Sequence, residues 1–197
     1  MGEPSKIDHL IKTVKETPKT KEEEEEEEEE KFKKLLQSKE KVTKLHFFLQ
    51  DALGVGSNET VWEVARAQIT PNSITSFGQV RVLDDLITAQ PDRNSEKLGR
   101  AQGVITFSDL DESALTMNLN FYFTSGEYSG STICVVGRNP ISSKNHRELP
   151  VVGGTGVFRM ARGYTISNTY SYDSVENYGV LEYTVYVAYY VDVEDQL

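Results

Sequence analysis

The closing run "VLEYTVYVAYYV", residues 180 to 191, puts Leu181, Tyr183, Val185, Val187 and Tyr189 on one face and their neighbours on the other. Successive side chains of a strand point to opposite faces, so a period of two held this long demands an extended strand with one face buried. The same signature recurs upstream. "VTKLHFFLQ" sets Leu45, Phe47 and Leu49 together, and "TVWEVARAQI", "FGQVRVLDDLIT", "GRAQGVITFSD", "ALTMNLNFYFT" and "YSGSTICVVGR" are rich in β-branched and aromatic residues. Short polar stretches such as "GVGSN", "TPNS", "PDRNSEK", "SGE" and "NPISSKN" separate them, and no helical stripe interrupts the series after residue 45. About eight strands joined at hairpin length specify an all-β fold, either a sandwich or a closed barrel.

Charge divides the chain in two. Residues 1–40 hold nine lysines and thirteen acidic residues, including the unbroken run Glu22 to Glu30, and offer almost no aromatic surface. Such a segment cannot bury enough apolar area to offset its ordering entropy, so it reads as a disordered or transiently helical tail. Glu-to-Lys pairs four apart in "EEEEKFKKLLQSKEK" are able to support a short solvated helix. Residues 41–197 then form the folded domain. It too is acidic, with twelve basic residues against eighteen acids in a chain whose net charge is −10. That argues against nucleic-acid and anionic-membrane partners, both of which require a basic footprint. No apolar window reaches membrane-spanning length. The amino terminus lacks the apolar run of a secretory signal, which points to the cytoplasm. Cys134 is the single cysteine, and His9, His46 and His146 are scattered without metal-ligand spacing.

The stretch "VVGGTGVFRMARGY", residues 151 to 164, resembles a phosphate-cradling loop at first sight. A P-loop, however, continues with Gly-Lys and Ser or Thr, and a dinucleotide loop opens a helix. Here "VFRMARGYTISNTYSY" follows, which alternates by two, so the phosphate reading fails and the glycines read as a tight turn entering a long strand. Gly163 inside that strand signals a bulge or a close backbone approach. If Phe158, Met160, Tyr164 and Ile166 share a face with Arg162, a permanently charged guanidinium looks into an apolar space and needs a carboxylate, carbonyls or a ligand oxygen. The alternative is that Arg159 and Arg162 are surface or interface arginines.

Possible acidic partners stand at strand ends, where barrel mouths admit ligands: Asp51 after "LHFFLQ", and Asp84 with Asp85 in "VLDDL". Turn-forming roles are the alternative for these aspartates. Tyr122, Tyr128, Tyr164 and Tyr183 are candidates to line an aromatic pocket, or else to serve packing and interfaces.

"LHFFLQD", "FGQVRVLDDLIT", "GRAQG", "FTSGEYSGSTICVVGRN" and "ELPVVGGTGVFRMARGY" follow one another in an order and spacing that resemble the plant dirigent family over residues 42 to 191. The resemblance implies an eight-stranded antiparallel β-barrel similar to allene oxide cyclases, assembled as a homotrimer and working without a cofactor or metal. It implies a protein that takes phenolic small molecules and gives stereoselectivity to the coupling of phenoxy radicals. Those radicals, from monolignols such as coniferyl alcohol, are made by a separate oxidase, a laccase or peroxidase, in lignan biosynthesis. Asp51 and Arg162 would then be the catalytic pair, and Asp85, Tyr122, Phe158 and Tyr164 would bind substrate. It further implies secretion to the apoplast, a role in plant defence, and a glycan at the sequon Asn58-Glu59-Thr60. Val157 stands where many lignan-forming members carry an aspartate, so the alternative is a lyase or isomerase acting on a phenolic, isoflavonoid quinone-methide precursor. A third reading is a non-catalytic defence-related or wall-associated binding module.

Overall fold

A computed structural model describes residues 19–53 and 58–191. Helix α1, Lys21–Gln37, stands as a unit by itself and buries none of its side chains. Thr20 caps it. Its hydroxyl accepts from the Glu23 amide at 3.3 Å while the Glu23 carboxylate accepts from the Thr20 amide at 2.7 Å, so two otherwise unpaired donors are satisfied reciprocally. Lys31 pairs with Glu27 at 3.0 Å and Lys33 with Glu29 at 2.8 Å, the i, i+4 contacts that the sequence spacing offers. Of the tail read as disordered or transiently helical, residues 1–18 lie outside the described residues, and residues 39–40 already belong to the first strand.

The second unit is a closed barrel. Its strands are β1 (Lys39–Ala52), β2 (Val61–Ala65), β3 (Val80–Thr88), β4 (Lys97–Phe107), β5 (Ala114–Phe123), β6 (Thr132–Pro140), β7 (Arg147–Thr155), β8 (Arg162–Asp173) and β9 (Tyr178–Val191). Neighbours run antiparallel in the order β1-β9-β8-β7-β6-β5-β4-β3, and β3 returns to β1 through Phe48↔Thr88, Leu49↔Ile87 and Gln50↔Leu86. That contact closes eight strands. β2 is a short extra strand on the remaining edge of β3, with Val61 opposite Leu83 and Trp62 opposite Val82. Closure removes the open sheet edges that would otherwise template aggregation.

Inward residues follow the sequence alternation and fill one end of the barrel with rings. Phe47, Phe121, Phe123, Phe158, Tyr183 and Tyr189 are all buried. Phe47 meets Phe121 edge-on at 5.2 Å between ring centres, and Phe158 meets Tyr189 at 5.1 Å. Edge-to-face pairs of this kind contribute about 0.5–1.5 kcal/mol each beyond the area they bury.

The sequence expectation of a tight turn at the glycines, residues 153–156, is corrected by the structure. Residues Arg147–Thr155 are strand β7, and the reversal comes later, through a 3-10 turn at Gly156–Phe158 and Met160 in the left-handed region at φ 59°. Pro150 and the two glycines erased the strand signature. The ladder tolerates them because the pairing with β6 slips by one residue near Val152. Gly163 does mark a close approach, since a Cβ there would lie 2.0 Å from the Tyr186 carbonyl oxygen.

Candidate functional site

At the end of the barrel away from the aromatic cluster the interior is open, a cavity of about 660 Å³. Pockets of about 300–1,000 Å³ accommodate small organic ligands. Leu49, Leu83, Ile105, Met117, Leu119 and Leu181 supply apolar walls, and Tyr170, Tyr172 and Tyr183 supply rings.

Two carboxyls enter this space from neighbouring strands. On β1 the inward series Phe47, Leu49 continues to Asp51. On β3 the inward series Arg81, Leu83 continues to Asp85, which is buried. Thr60 joins the two strands: its hydroxyl accepts from the Ala52 amide at 3.0 Å and donates to Asp85 Oδ1. Asp51 Oδ1 is buried without a hydrogen-bond partner among the described residues. Burial pushes the Asp51 carboxyl up to about 6, against the pull of the Arg81 charge. Burial, and then the charge of Asp51, hold Asp85 well above the usual carboxylate range, with the Thr60 hydrogen bond opposing. Two carboxyls facing one largely apolar chamber raise the cost of ionising both, and the shift is upward for each.

Across the barrel, where β6 and β7 lie opposite β1 and β3, a second polar group faces the same space. Arg147 opens β7 and is 6% exposed, and its Nε has no hydrogen-bond partner among the described residues. Asn139 on β6 is 4% exposed. Its amide nitrogen donates to the Met117 sulfur at 2.8 Å, while its Oδ1 is unpartnered among the described residues. Burial lowers the affinity of the Arg147 guanidinium for its proton. Tyr183, fully buried, is pushed up to about 12 by desolvation, against the Arg147 charge and a hydrogen bond from Ser167. A charged donor buried beside an empty acceptor costs stability unless a ligand oxygen or hydroxyl completes it.

The sequence-predicted residues divide sharply. Asp51 and Asp85 line the cavity, and Tyr183 does too. Arg162 does not. It projects from the outer surface, its side chain 60% exposed, and its Nη2 donates to Glu40 at 2.7 Å. The sequence reading carried a period of two through residues 157 to 166, but the 3-10 turn and Met160 break that parity. Arg162 therefore shares the outer face with Tyr164, which stacks on Tyr186 at 5.1 Å. Phe158 is inside, packed on Tyr128 at 4.9 Å in the aromatic cluster, and does not line the cavity. Tyr122 faces outward, and Tyr128 packs against the cluster. Val157 is 39% exposed and also off the cavity, so its lack of a carboxylate leaves the acid pair untouched. Asn58 is exposed in a turn. Arg147 and Asn139 were missed, although Arg147, Leu149 and Val151 alternate inward once β7 is recognised as a strand.

Comparison with known proteins agrees with this fold. A Dirigent-like protein family model matches residues 42–188. Dirigent protein 21 of Arabidopsis thaliana is 42% identical over 148 residues, covering 75% of this chain and 77% of the relative. Pterocarpan synthase 1 of Glycine max is 39% identical over 151 residues, covering 77% and 81%. The solved structure of the pterocarpan synthase dirigent protein GePTS1 superposes with a TM-score of 0.70 at 38% identity, covering 77% of this chain and 87% of that one. The barrel, its cavity and the extent of the match make this chain a member of the dirigent family.

Proposed function

We propose that the barrel is a cofactor-free lyase and cyclase. It converts a phenol bearing a benzylic hydroxyl, of the isoflavanol type, to a quinone methide and closes it on one face. Two buried carboxyls, Asp51 and Asp85, facing one largely apolar cavity carry this reading, and the likeness to pterocarpan synthases supports it.

Asp85 in its protonated form donates to the benzylic hydroxyl oxygen. The C–O bond breaks and water leaves, while Asp51 takes the phenolic proton and the phenol oxygen's electron pair moves into the ring, giving the quinone methide. A second hydroxyl of the same substrate then adds to the methide carbon. Its proton returns to Asp85, and the proton on Asp51 returns to the phenol oxygen, so one water is lost and both carboxyls are restored. Arg147 and Asn139, on the far wall, hold an oxygen substituent of the attacking ring and so fix which face closes. The test is incubation of a racemic isoflavanol with the protein and no oxidant. Ring-closed product enriched in one enantiomer supports the proposal, and unchanged substrate refutes it.

The cavity volume favours a second reading. It leaves room for two small phenols, as the coupling of monolignol radicals supplied by an oxidase requires. Coniferyl alcohol with a one-electron oxidase, analysed on a chiral column with and without the protein, separates the two.

A homotrimer is part of this proposal. Trp62, Val82 and Val104 stand side by side on the outer face and are between 38% and 55% exposed, an apolar strip that a lone barrel leaves in water. Sedimentation at about three times the 22.2 kDa chain mass is the expected result.

A further inference from the structure

Arg81 makes no substrate contact in the proposed chemistry, although its charge pulls on Asp51, and it stands where two pockets meet. It belongs to the inward series of β3, with Leu83 and Asp85, and stands opposite Ile105 of β4. It lines the main cavity and also a shallower pocket of about 380 Å³ formed with Leu53, Glu59, Val61, Glu63, Tyr172 and Asn177. The two spaces share Leu53, Val61, Arg81 and Tyr172, so the shallower one is the vestibule of the deeper one.

The guanidinium is held in place. Its Nε donates to Gln79 Oε1 at 2.9 Å, and the Gln79 amide nitrogen donates in turn to Glu63. Its plane lies over the Phe107 ring, 5.1 Å from the centre. Glu63 is itself engaged by Arg66, and among the described residues no carboxylate lies within ion-pair distance of Arg81. The terminal nitrogens of Arg81 therefore carry no hydrogen bond among the described residues. A guanidinium oriented at the junction of two pockets, its terminal nitrogens without a hydrogen bond among the described residues, presents a planar fork to whatever enters.

We infer that Arg81 is a specificity-determining residue. It receives an acidic, electron-rich oxygen, a phenol or a carboxylate, on the ring that lies nearest the mouth. With the carboxyl pair and the Arg147–Asn139 wall it supplies a third point of attachment, which a site needs if it is to hold an unsymmetrical ligand in one orientation. Gln79 is the positioning residue that aims it. The inference rests on the cavity being the phenol-binding site proposed above, but its test reads binding and not turnover. A protein that binds these ligands and closes no ring therefore fails the earlier reading alone.

The probes are 4-hydroxy-3-methoxycinnamate, its methyl ester and 3,4-dimethoxycinnamate, titrated by calorimetry into the full chain, Arg81→Met and Arg81→Lys. The methionine keeps an apolar stem over Phe107, and the lysine keeps the charge, so a folding defect in one is exposed by the other. Loss of the charged hydrogen bond should weaken binding at least ~10-fold. The loss should be selective: in dimethoxycinnamate if Arg81 takes the carboxylate, in the methyl ester if it takes the phenol. Arg81→Lys should fall in between. Equal weakening of the ester and the dimethoxy acid would reduce Arg81 to a packing residue and overturn the inference. So would unchanged affinity in Arg81→Met, or no binding of any probe to the unaltered chain.

Discussion

Asp51 and Asp85 face one cavity from adjoining strands, and the charge of Asp51 is among the causes that raise the Asp85 carboxyl above the usual range. The pair is a unit. The Asp85 carboxyl would be more acidic without Asp51, and the proposed chemistry uses the two in turn.

A pH–rate profile should show this directly. Below about 6 Asp51 gains a proton and the base is lost, so kcat/KM falls on the acid side. At higher pH Asp85 loses its proton and the acid is lost, so the rate falls again. Asp85→Asn should remove most activity and abolish the alkaline limb of what remains.

The same burial costs stability. Burial pushes the Asp51 carboxyl up to about 6 in the folded barrel, against about 3.9 in an unfolded chain. The folded state thus holds its proton to higher pH, and the stability present in acid is lost as pH rises from about 4 to about 6. Asp51→Asn should therefore raise stability at pH 7 by about 1–2 kcal/mol while removing turnover. Thermal melts at pH 4 and pH 7 check the sign, because the gain should vanish at the lower pH.

Arg147→Leu should leave the barrel folded, since it replaces a buried charge whose Nε is unpartnered with an apolar side chain. Enantiomeric excess should fall, and kcat/KM by at least ~10-fold. Chiral chromatography beside a melting curve distinguishes this from misfolding.

Arg162→Leu should change neither melting temperature nor turnover, because its partner Glu40 and the solvent lie outside the cavity. Gly163→Ala should do the opposite and destabilise by about 2–4 kcal/mol. The new Cβ would strike the Tyr186 carbonyl, at a φ of 152° that other residues rarely adopt. Urea unfolding of both variants is the check.

The contrast between these two residues shows what the sequence carries. Strand periodicity and the family motifs placed the barrel, and inward parity along β1 and β3 carries Asp51 and Asp85 to one cavity. Asp85, however, lies within β3 and not at its end as the sequence suggested, and the sequence paired Asp51 with Arg162 instead. Parity failed at Arg162, where a 3-10 turn and one left-handed residue reset the alternation. Local sequence hardly records such a reset, since Met160 carries no preference for that backbone. Arg147 was hidden for a different reason. Pro150, Gly153 and Gly154 lower strand propensity in β7, and only pairing with β6 and β8 on both sides holds it extended. Which wall faces which depends on barrel closure, a long-range fact that no short window contains.

The most direct measurement uses a racemic isoflavanol with a free phenol, incubated with the protein in the absence of any oxidant and followed by chiral chromatography and mass spectrometry. Loss of one water, with one enantiomer of the ring-closed product in excess and the activity gone in Asp85→Asn, is the predicted result. Consumption that requires an added oxidase, or product that is racemic at every protein concentration, would contradict acid–base ring closure in this cavity.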